Sequence, residues 1–241
     1  MKHLVAATAL FATLTAPAFG GEAEIRKAVN DFIGQEAIQS VTRTTYGGLY
    51  EVVLETGEMV YTDEQGSFFI DGQLVDLKRR TNITAERQAV LNKVNIGDLP
   101  LDQAVKTVRG NGKRTLVTFE DPNCGYCKRF VAEAQQLKDV TIYTFLYPIL
   151  SPDSAEKSKA IWCSKDRSAT WQGWMIDGKL AKAADCSNPI EKNVALGRKL
   201  RINGTPTMFL ADGSRLGGFM PRAKLEEAIA QAEKNKPAKG K

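Results

Sequence analysis

Apolar and polar positions change rhythm several times along this chain, and each change marks an element. Ile25, Ala28, Val29, Phe32 and Ile33 recur at helical spacing, which predicts a helix over residues 22–34. Short runs rich in β-branched and aromatic residues follow: Ile38 to Tyr46, Leu49 to Leu54, Met59 to Thr62, Ser67 to Ile70 and Gln73 to Leu77. Gly47-Gly48, Thr56-Gly57, Gln65-Gly66 and Asp71-Gly72 separate them, and Asp71-Gly72 is a strong two-residue hairpin signal. The pattern predicts a helix followed by an antiparallel meander, a small α+β unit with little interior of its own. Residues 84–94 then read as a linker helix with Thr84 as its N-cap and a weak apolar face. Leu101 to Val108 reads as a second short helical run before the turn at Gly110-Asn111-Gly112.

From Arg114 the rhythm becomes strand, helix, strand. Thr115-Leu116-Val117-Thr118-Phe119 is strand-like, and Phe130, Val131, Ala134 and Leu137 line one helix face. Thr141 to Tyr147 is the next strand, and residues 153–164, 168–176 and 189–200 are helical. Trp171, Trp174 and Met175 stand at helical spacing, which reads as core packing. Thr207 to Leu210 and Arg215 to Phe219 form a hairpin about Asp212-Gly213, and Leu225 to Ala232 closes with a helix. The order is that of a thioredoxin-like fold with a helical insertion between its halves. The expected domains are a leader at 1–20, the α+β unit at 21–80, linker helices at 81–112 and the thioredoxin-like unit at 113–235.

The leader changes the chemistry available. Lys2 and His3 precede an apolar run from Leu4 to Thr15, and small residues flank cleavage points after Ala18 or Gly20, the pattern of an export signal. Such a run is shorter than the roughly 20 residues a spanning helix needs, so no stable membrane insertion is expected. Its removal takes away His3, the single histidine. Ser-His-Asp and Cys-His catalysis and histidine metal sites are thereby excluded. The chain carries 33 basic and 28 acidic side chains, interspersed except in the tail from Lys234 to Lys241, and leaves no nucleic-acid footprint. No cofactor and no metal are expected.

Four cysteines in an exported chain imply disulfide chemistry, and four allow three pairings. Cys124-Gly125-Tyr126-Cys127 lies between the strand-like run and the helix-like run. A helix N-terminus carries partial positive charge and unpaired N–H donors, so a thiolate at Cys124 is stabilised at the exposed helix start. Cys127, one turn later, can attack a mixed disulfide on Cys124, which is the machinery of thiol–disulfide exchange. Cys163 and Cys186 remain, with 22 residues between them. A structural bond there would constrain the unfolded chain by roughly 3 kcal/mol in the loop-entropy model. A second redox pair is the other reading, and a four-cysteine zinc site is disfavoured because its second pair would be widely split.

At these residues the chain resembles the family of DsbC/DsbG bacterial periplasmic disulfide isomerases, closest to its DsbC branch. Phe119-Glu120-Asp121-Pro122-Asn123-Cys124-Gly125-Tyr126-Cys127-Lys128 is similar to the family's active-site strand and turn. Gly204-Thr205-Pro206 is similar to its cis-proline loop, with the threonine of the isomerase branch. Leu49-Tyr50-Glu51-Val52 and Tyr61-Thr62-Asp63-Glu64 resemble its N-terminal dimerisation domain. Lys128 departs from the best-known member, which has a histidine there, and puts a permanent cation at the helix start.

The resemblance implies a disulfide isomerase in the periplasm that reshuffles wrong disulfides in exported proteins. Cys124 would be the nucleophile and Cys127 the resolving thiol. Gly125 and Tyr126 would shape the turn, with Tyr126 offered to unfolded substrates or else simply packed. Pro206 would be cis, exposing the Thr205 backbone to a substrate strand, and Cys163–Cys186 would be structural. The implied partners are misfolded disulfide-containing proteins, a membrane thiol reductase of the DsbD type, and a second copy of the chain. Competing readings are a monomeric thiol oxidase, a DsbG-type reductase of oxidised single cysteines, and a holdase chaperone.

Overall fold

Residues 20–180 and 185–236 are described by a computed structural model of the protein, so the expected cleavage after Ala18 lies outside the described residues. The chain divides into two compact units, with the boundary between Leu74 and Val75.

In the first unit, helix α1 (Gly20–Ile33) packs its Ile25 and Val29 face on a three-stranded antiparallel meander. The strands are β1 (Ile38–Arg43), β2 (Tyr50–Leu54) and β3 (Met59–Thr62), in that spatial order. Val52 sits opposite Val41 on one side and Val60 on the other. The core rests on Ile25, Val29 and Val52, ringed by partly buried side chains such as Val41, Leu54 and Phe69. Phe32 stays 78 % exposed, and Phe68 and Ile70 are exposed as well. The hairpin expected at Asp71-Gly72 does not form. A type I′ turn needs positive φ at both central positions, and Gly72 does not have it. The chain instead turns at Gly66 (φ 69°) and returns Ile70 to a two-way backbone bridge with Tyr61.

The second unit opens with a short ladder between β4 (Val75–Asp76) and β5 (Thr81–Asn82). Helix α2 (Ile83–Leu91) is capped by Asn82, whose side chain accepts the Ala85 N–H at 2.9 Å, and not by the expected Thr84, which lies buried in the first turn. The segment read as helical from Leu101 to Val108 is also corrected. Leu101–Gln103 makes one 3₁₀ turn, and Val105–Arg109 is strand β6. Leu101, Ala104, Val105 and Val108 fit helical spacing, but Val105 and Thr107 point inward while Lys106 and Val108 stay exposed, the period of a strand.

Strand β6 is the edge of a five-stranded sheet ordered β10-β9-β7-β8-β6. Its members are β7 (Arg114–Glu120), β8 (Val140–Leu146), β9 (Thr207–Leu210) and β10 (Arg215–Gly217). Parallel β7 and β8 are joined through α3 (Gly125–Ala134), and β9 runs antiparallel to β7. Central β7 is covered on both faces, so its residues from Leu116 to Glu120 are all buried. Leu116 meets Phe130, Trp171 and Leu225 on one side, while Val117 and Phe119 meet Phe145, Tyr147 and Phe209 on the other. Phe119 stacks on Phe145 at 4.7 Å between ring centroids and presents its edge to Tyr147 and Phe209. Helices α4 (Pro152–Trp162), α5 (Arg167–Asp177) and α6 (Ile190–Lys199) form the insertion, and α7 (Arg222–Lys234) covers the sheet last. Cys163 and Cys186 are disulfide-bonded, with Cα atoms 5.7 Å apart, which removes both from any four-cysteine metal set.

Gly197 of α6 lies against the buried Tyr147 ring, whose hydroxyl donates to the Ile202 carbonyl at 3.0 Å. A methyl at 197 would fall inside that ring, and a hydrogen-bonded core ring cannot swing away. The better helix propensity of alanine returns at most about 1 kcal/mol, against overpacking of about 1–3 kcal/mol. Gly197→Ala is therefore expected to lower the denaturant midpoint, and a midpoint at or above that of the parent would contradict the packing described.

Candidate active site

Strand β7 delivers the chain to Glu120, the turn Asp121-Pro122-Asn123 reverses it, and α3 begins with Cys124 as its N-cap. The Cys124 backbone is extended, and its sulfur accepts the Cys127 N–H at 3.1 Å. A sulfur in this place occupies the position that a serine or aspartate side-chain oxygen usually takes. The Thr205 carbonyl lies 3.2 Å from the same sulfur. Cys124 was expected at an exposed helix start, but the residue is only 4 % exposed. The loop that carries Thr205 covers it. The Thr205–Pro206 peptide is cis, as expected, and the Pro206 carbonyl accepts the Gly218 N–H at 2.8 Å. Tyr126 is 59 % exposed beside exposed Gly125.

The two sulfurs, free in this structure, differ sharply in acidity. A hydrogen bond from the Cys127 thiol is the main reason the Cys124 pKa falls to about 6; the Thr205 side chain and the backbone N–H groups of Cys127 and Tyr126 add to it, against partial burial. Burial above all pushes the Cys127 thiol up, helped by its bond to Cys124 and by the charge of Glu120. One thiol is thus ionised near neutral pH and the other is held protonated. Lys128 was read as a cation supporting the helix start. Its ammonium lies 5.0 Å from the centre of the Trp174 ring, and the Cys124 acidity comes from hydrogen bonds.

Several residues of the site were not read from the sequence. Glu120 is wholly buried beneath the dithiol, and burial raises its pKa to about 8. Its Oε1 accepts the Thr118 hydroxyl at 2.7 Å and its Oε2 has no partner. A cavity of about 20 Å³, large enough for one water, adjoins it between Thr107, Arg109, Thr144 and Gln172. Asp121 is equally buried but fully satisfied. It accepts the Asn123 N–H and the Ser154 hydroxyl on Oδ1, and the Ile149 and Leu150 N–H groups on Oδ2, all within 2.9 Å. One bond closes the turn on itself, two fasten it to the segment that follows β8, and one fastens it to α4. Trp174, expected in the core, is only partly buried and donates its Nε1–H to the Pro122 carbonyl at 2.7 Å. The available clue was two adjacent carboxylates ending an apolar strand, where burial demands a reason. Among the described residues, no group of three or more His, Cys, Asp or Glu side chains is placed to hold a metal.

Comparison with known proteins agrees with this geometry. Residues 101–233 match the model of a thioredoxin-like domain, and residues 16–85 match the N-terminal domain of disulfide bond isomerase proteins. The chain is 46 % identical, over 80 % of its length and 68 % of the relative's, to the probable thiol:disulfide interchange protein DsbC of Bordetella parapertussis. It is 26 % identical, over 90 % of its length and 93 % of the relative's, to the thiol:disulfide interchange protein DsbC of Escherichia coli K12. The crystal structure of a disulfide interchange protein from Neisseria gonorrhoeae superposes with a TM-score of 0.55 at 39 % identity, over 58 % of this chain and all of that one. With a thiol pair so polarised on a thioredoxin-like fold, and with both of its domains matched, the chain belongs to the DsbC family of thiol:disulfide interchange proteins and is a thiol–disulfide oxidoreductase of the isomerase type.

Proposed function

We propose that Cys124 is the attacking thiolate and Cys127 the resolving thiol of an isomerase that reshuffles disulfides in exported proteins. The observation that carries this reading is the opposed acidity of the two sulfurs. The Cys124 thiolate attacks one sulfur of a wrong disulfide. A Cys124–substrate S–S bond forms, the substrate S–S bond breaks, and the electron pair leaves on the freed substrate thiolate. A different substrate thiolate then attacks the mixed disulfide, forms the new substrate bond and restores Cys124, with no net oxidation. When this stalls, Cys127 attacks Cys124 instead, and substrate departs reduced while the protein becomes oxidised. Cys127 must lose its proton for that step, and the ionised form of Glu120, populated as pH approaches its pKa of about 8, is the acceptor within electrostatic reach. The Thr205 backbone offers a substrate strand a β-bridge beside the sulfur, and exposed Tyr126 offers it an apolar surface.

An oxidised Cys124 pair needs an electron donor, which we assign to a membrane thiol reductase of the DsbD type. The setting is the periplasm, after removal of the leader behind Ala18 or Gly20. The Cys163–Cys186 bond, which we assign as structural, suits that oxidising compartment. We further propose that the chain is a homodimer joined through its first unit. That unit is small, burying little beyond Ile25, Val29, Val52, Val53, Met59 and Tyr61 among its described residues, and it keeps Phe32, Phe68 and Ile70 exposed.

Thiolate absorbance at 240 nm should rise with a midpoint near pH 6, from Cys124 alone. Cys124→Ser should abolish rescue of a scrambled multi-disulfide substrate, and Cys127→Ser should accumulate mixed disulfides; faster alkylation of Cys127 than of Cys124 would reverse the assignment. Glu120 binds its proton more tightly in the folded state, since its pKa rises from 4.5 to about 8. Its contribution to stability therefore falls as pH rises through that window. Glu120→Gln should gain on the parent in denaturant midpoint between pH 5 and 8, and a constant difference across that range would refute the buried ionisation. Sedimentation at micromolar concentration should give a dimer, and a monomer there would overturn the assembly proposed.

A further inference from the structure

The surface around Cys124 carries cations that the protein does not neutralise. Lys128 and Arg129 follow the second cysteine directly, the first half-buried and the second exposed. Arg129 lies with its guanidinium 4.5 Å from the centre of the Phe219 ring and 5.8 Å from that of Tyr126. Lys128 lies 5.0 Å and Lys157 4.6 Å from the centre of the one Trp174 ring, which hangs from the Pro122 carbonyl two residues before Cys124. Of the three, Lys157 has a carboxylate partner, Asp153 at 2.5 Å. Lys128 and Arg129 are in no salt bridge among the described residues, and the residues outside that set contain no Asp or Glu. The nearby acids are otherwise engaged: Asp121 accepts four hydrogen bonds and Glu120 is buried beneath the sulfurs.

Aromatic faces hold Lys128 and Arg129 in place without discharging them. A cation already positioned loses less freedom when it pairs than one on a free stem. The two cations therefore complement a polypeptide segment that brings negative charge within a few ångströms of the sulfur under attack.

We propose that the Lys128–Arg129 pair, the two cations beside the dithiol without a carboxylate partner, selects acidic segments, so that cysteines flanked by Asp or Glu are exchanged faster than cysteines flanked by Lys or Arg. This rests on the reading of Cys124 as the attacking thiolate and adds to it a preferred substrate class. The preference belongs to the encounter and to the mixed disulfide, and it weakens with salt.

The test uses the reduced full-length protein and symmetric disulfides of three short peptides that differ only in the residues flanking cysteine: aspartates, serines or lysines. In each reaction the peptide S–S bond takes two electrons and two protons from the Cys124/Cys127 dithiol, giving two peptide thiols and the protein disulfide. Acid-quenched chromatography follows the peptide thiol. Every rate is divided by that of the same peptide with dithiothreitol, which removes the peptide's own reactivity. At about 10 mM salt the aspartate peptide should react roughly threefold to tenfold faster than the lysine peptide, as two or so exposed ion pairs allow. The ratio should approach one near about 1 M salt. Replacing both cations, Lys128→Gln with Arg129→Gln, should also bring it towards one at low salt. The ratio is read and not the rate, so a change in thiol reactivity cancels. Equal rates at low salt, a preference for lysine, or a ratio that survives in the double variant would overturn the proposal. The salt series uses the unaltered protein and decides the matter even where the variant fails to fold. Absence of exchange with all three peptides would be a different failure, that of the thiolate reading itself.

Discussion

The Cys127 amide points its N–H at the Cys124 sulfur, and that bond exists because a cysteine occupies the place of a helix cap. An oxygen cap would simply satisfy an orphan donor. A sulfur cap makes the first turn of α3 a proton-releasing device, since the donors that stabilise the helix end also stabilise the thiolate. The rest of the larger unit serves this arrangement. β7 is buried on both faces and cannot shift, the Asp121 carboxylate fixes the turn at its end, and the Pro206 loop closes over the sulfur. Helix, strand and loop thus meet at one atom.

Glu120 and Asp121 are neighbours in sequence with opposite surroundings. Alternation along an extended chain sends them to different sides. Asp121 meets four donors and holds the backbone in place. Glu120 meets two threonine hydroxyls, leaves one oxygen unpartnered and answers burial by keeping its proton to about pH 8. One carboxylate is a structural fastener and the other a titrating group beneath a thiol that must itself give up a proton. Two buried carboxylates take two roles because one meets four donors while burial and the Cys124 charge act on the other.

The elements that position the dithiol were legible because their periods are unambiguous. Thr115 to Phe119 has the β-branched and aromatic character of a strand, and Phe130, Val131, Ala134 and Leu137 fit a helix and no strand. β6 was misread because Leu101, Ala104, Val105 and Val108 satisfy helical spacing while Val105 and Thr107 also satisfy alternation. Only the vacant edge of β8 decides between them. The Asp71-Gly72 turn was misread for a related reason, since Tyr61 captures Ile70 and removes the strand the hairpin needed. Trp174 shows the limit at a site. Its spacing says core, but its Nε1 and its ring face have uses that no periodicity carries. Glu120 was visible as a letter, but its weight comes from burial among β6, β8 and α5, which are distant in the chain.

The four cysteines are joined, or can be joined, in the order in which they occur: Cys124 to Cys127, then Cys163 to Cys186. A chain that emerges N-terminus first meets each partner before the next rival appears. An indiscriminate oxidant that couples cysteines as they arrive would therefore write the native connectivity at the first attempt. Nested or crossed bonds, which such an oxidant gets wrong, are absent from this pairing. Such sequential oxidation closes Cys163 on its own partner Cys186, and the neighbouring Cys124 pair, if closed as well, needs only reduction and no reshuffling.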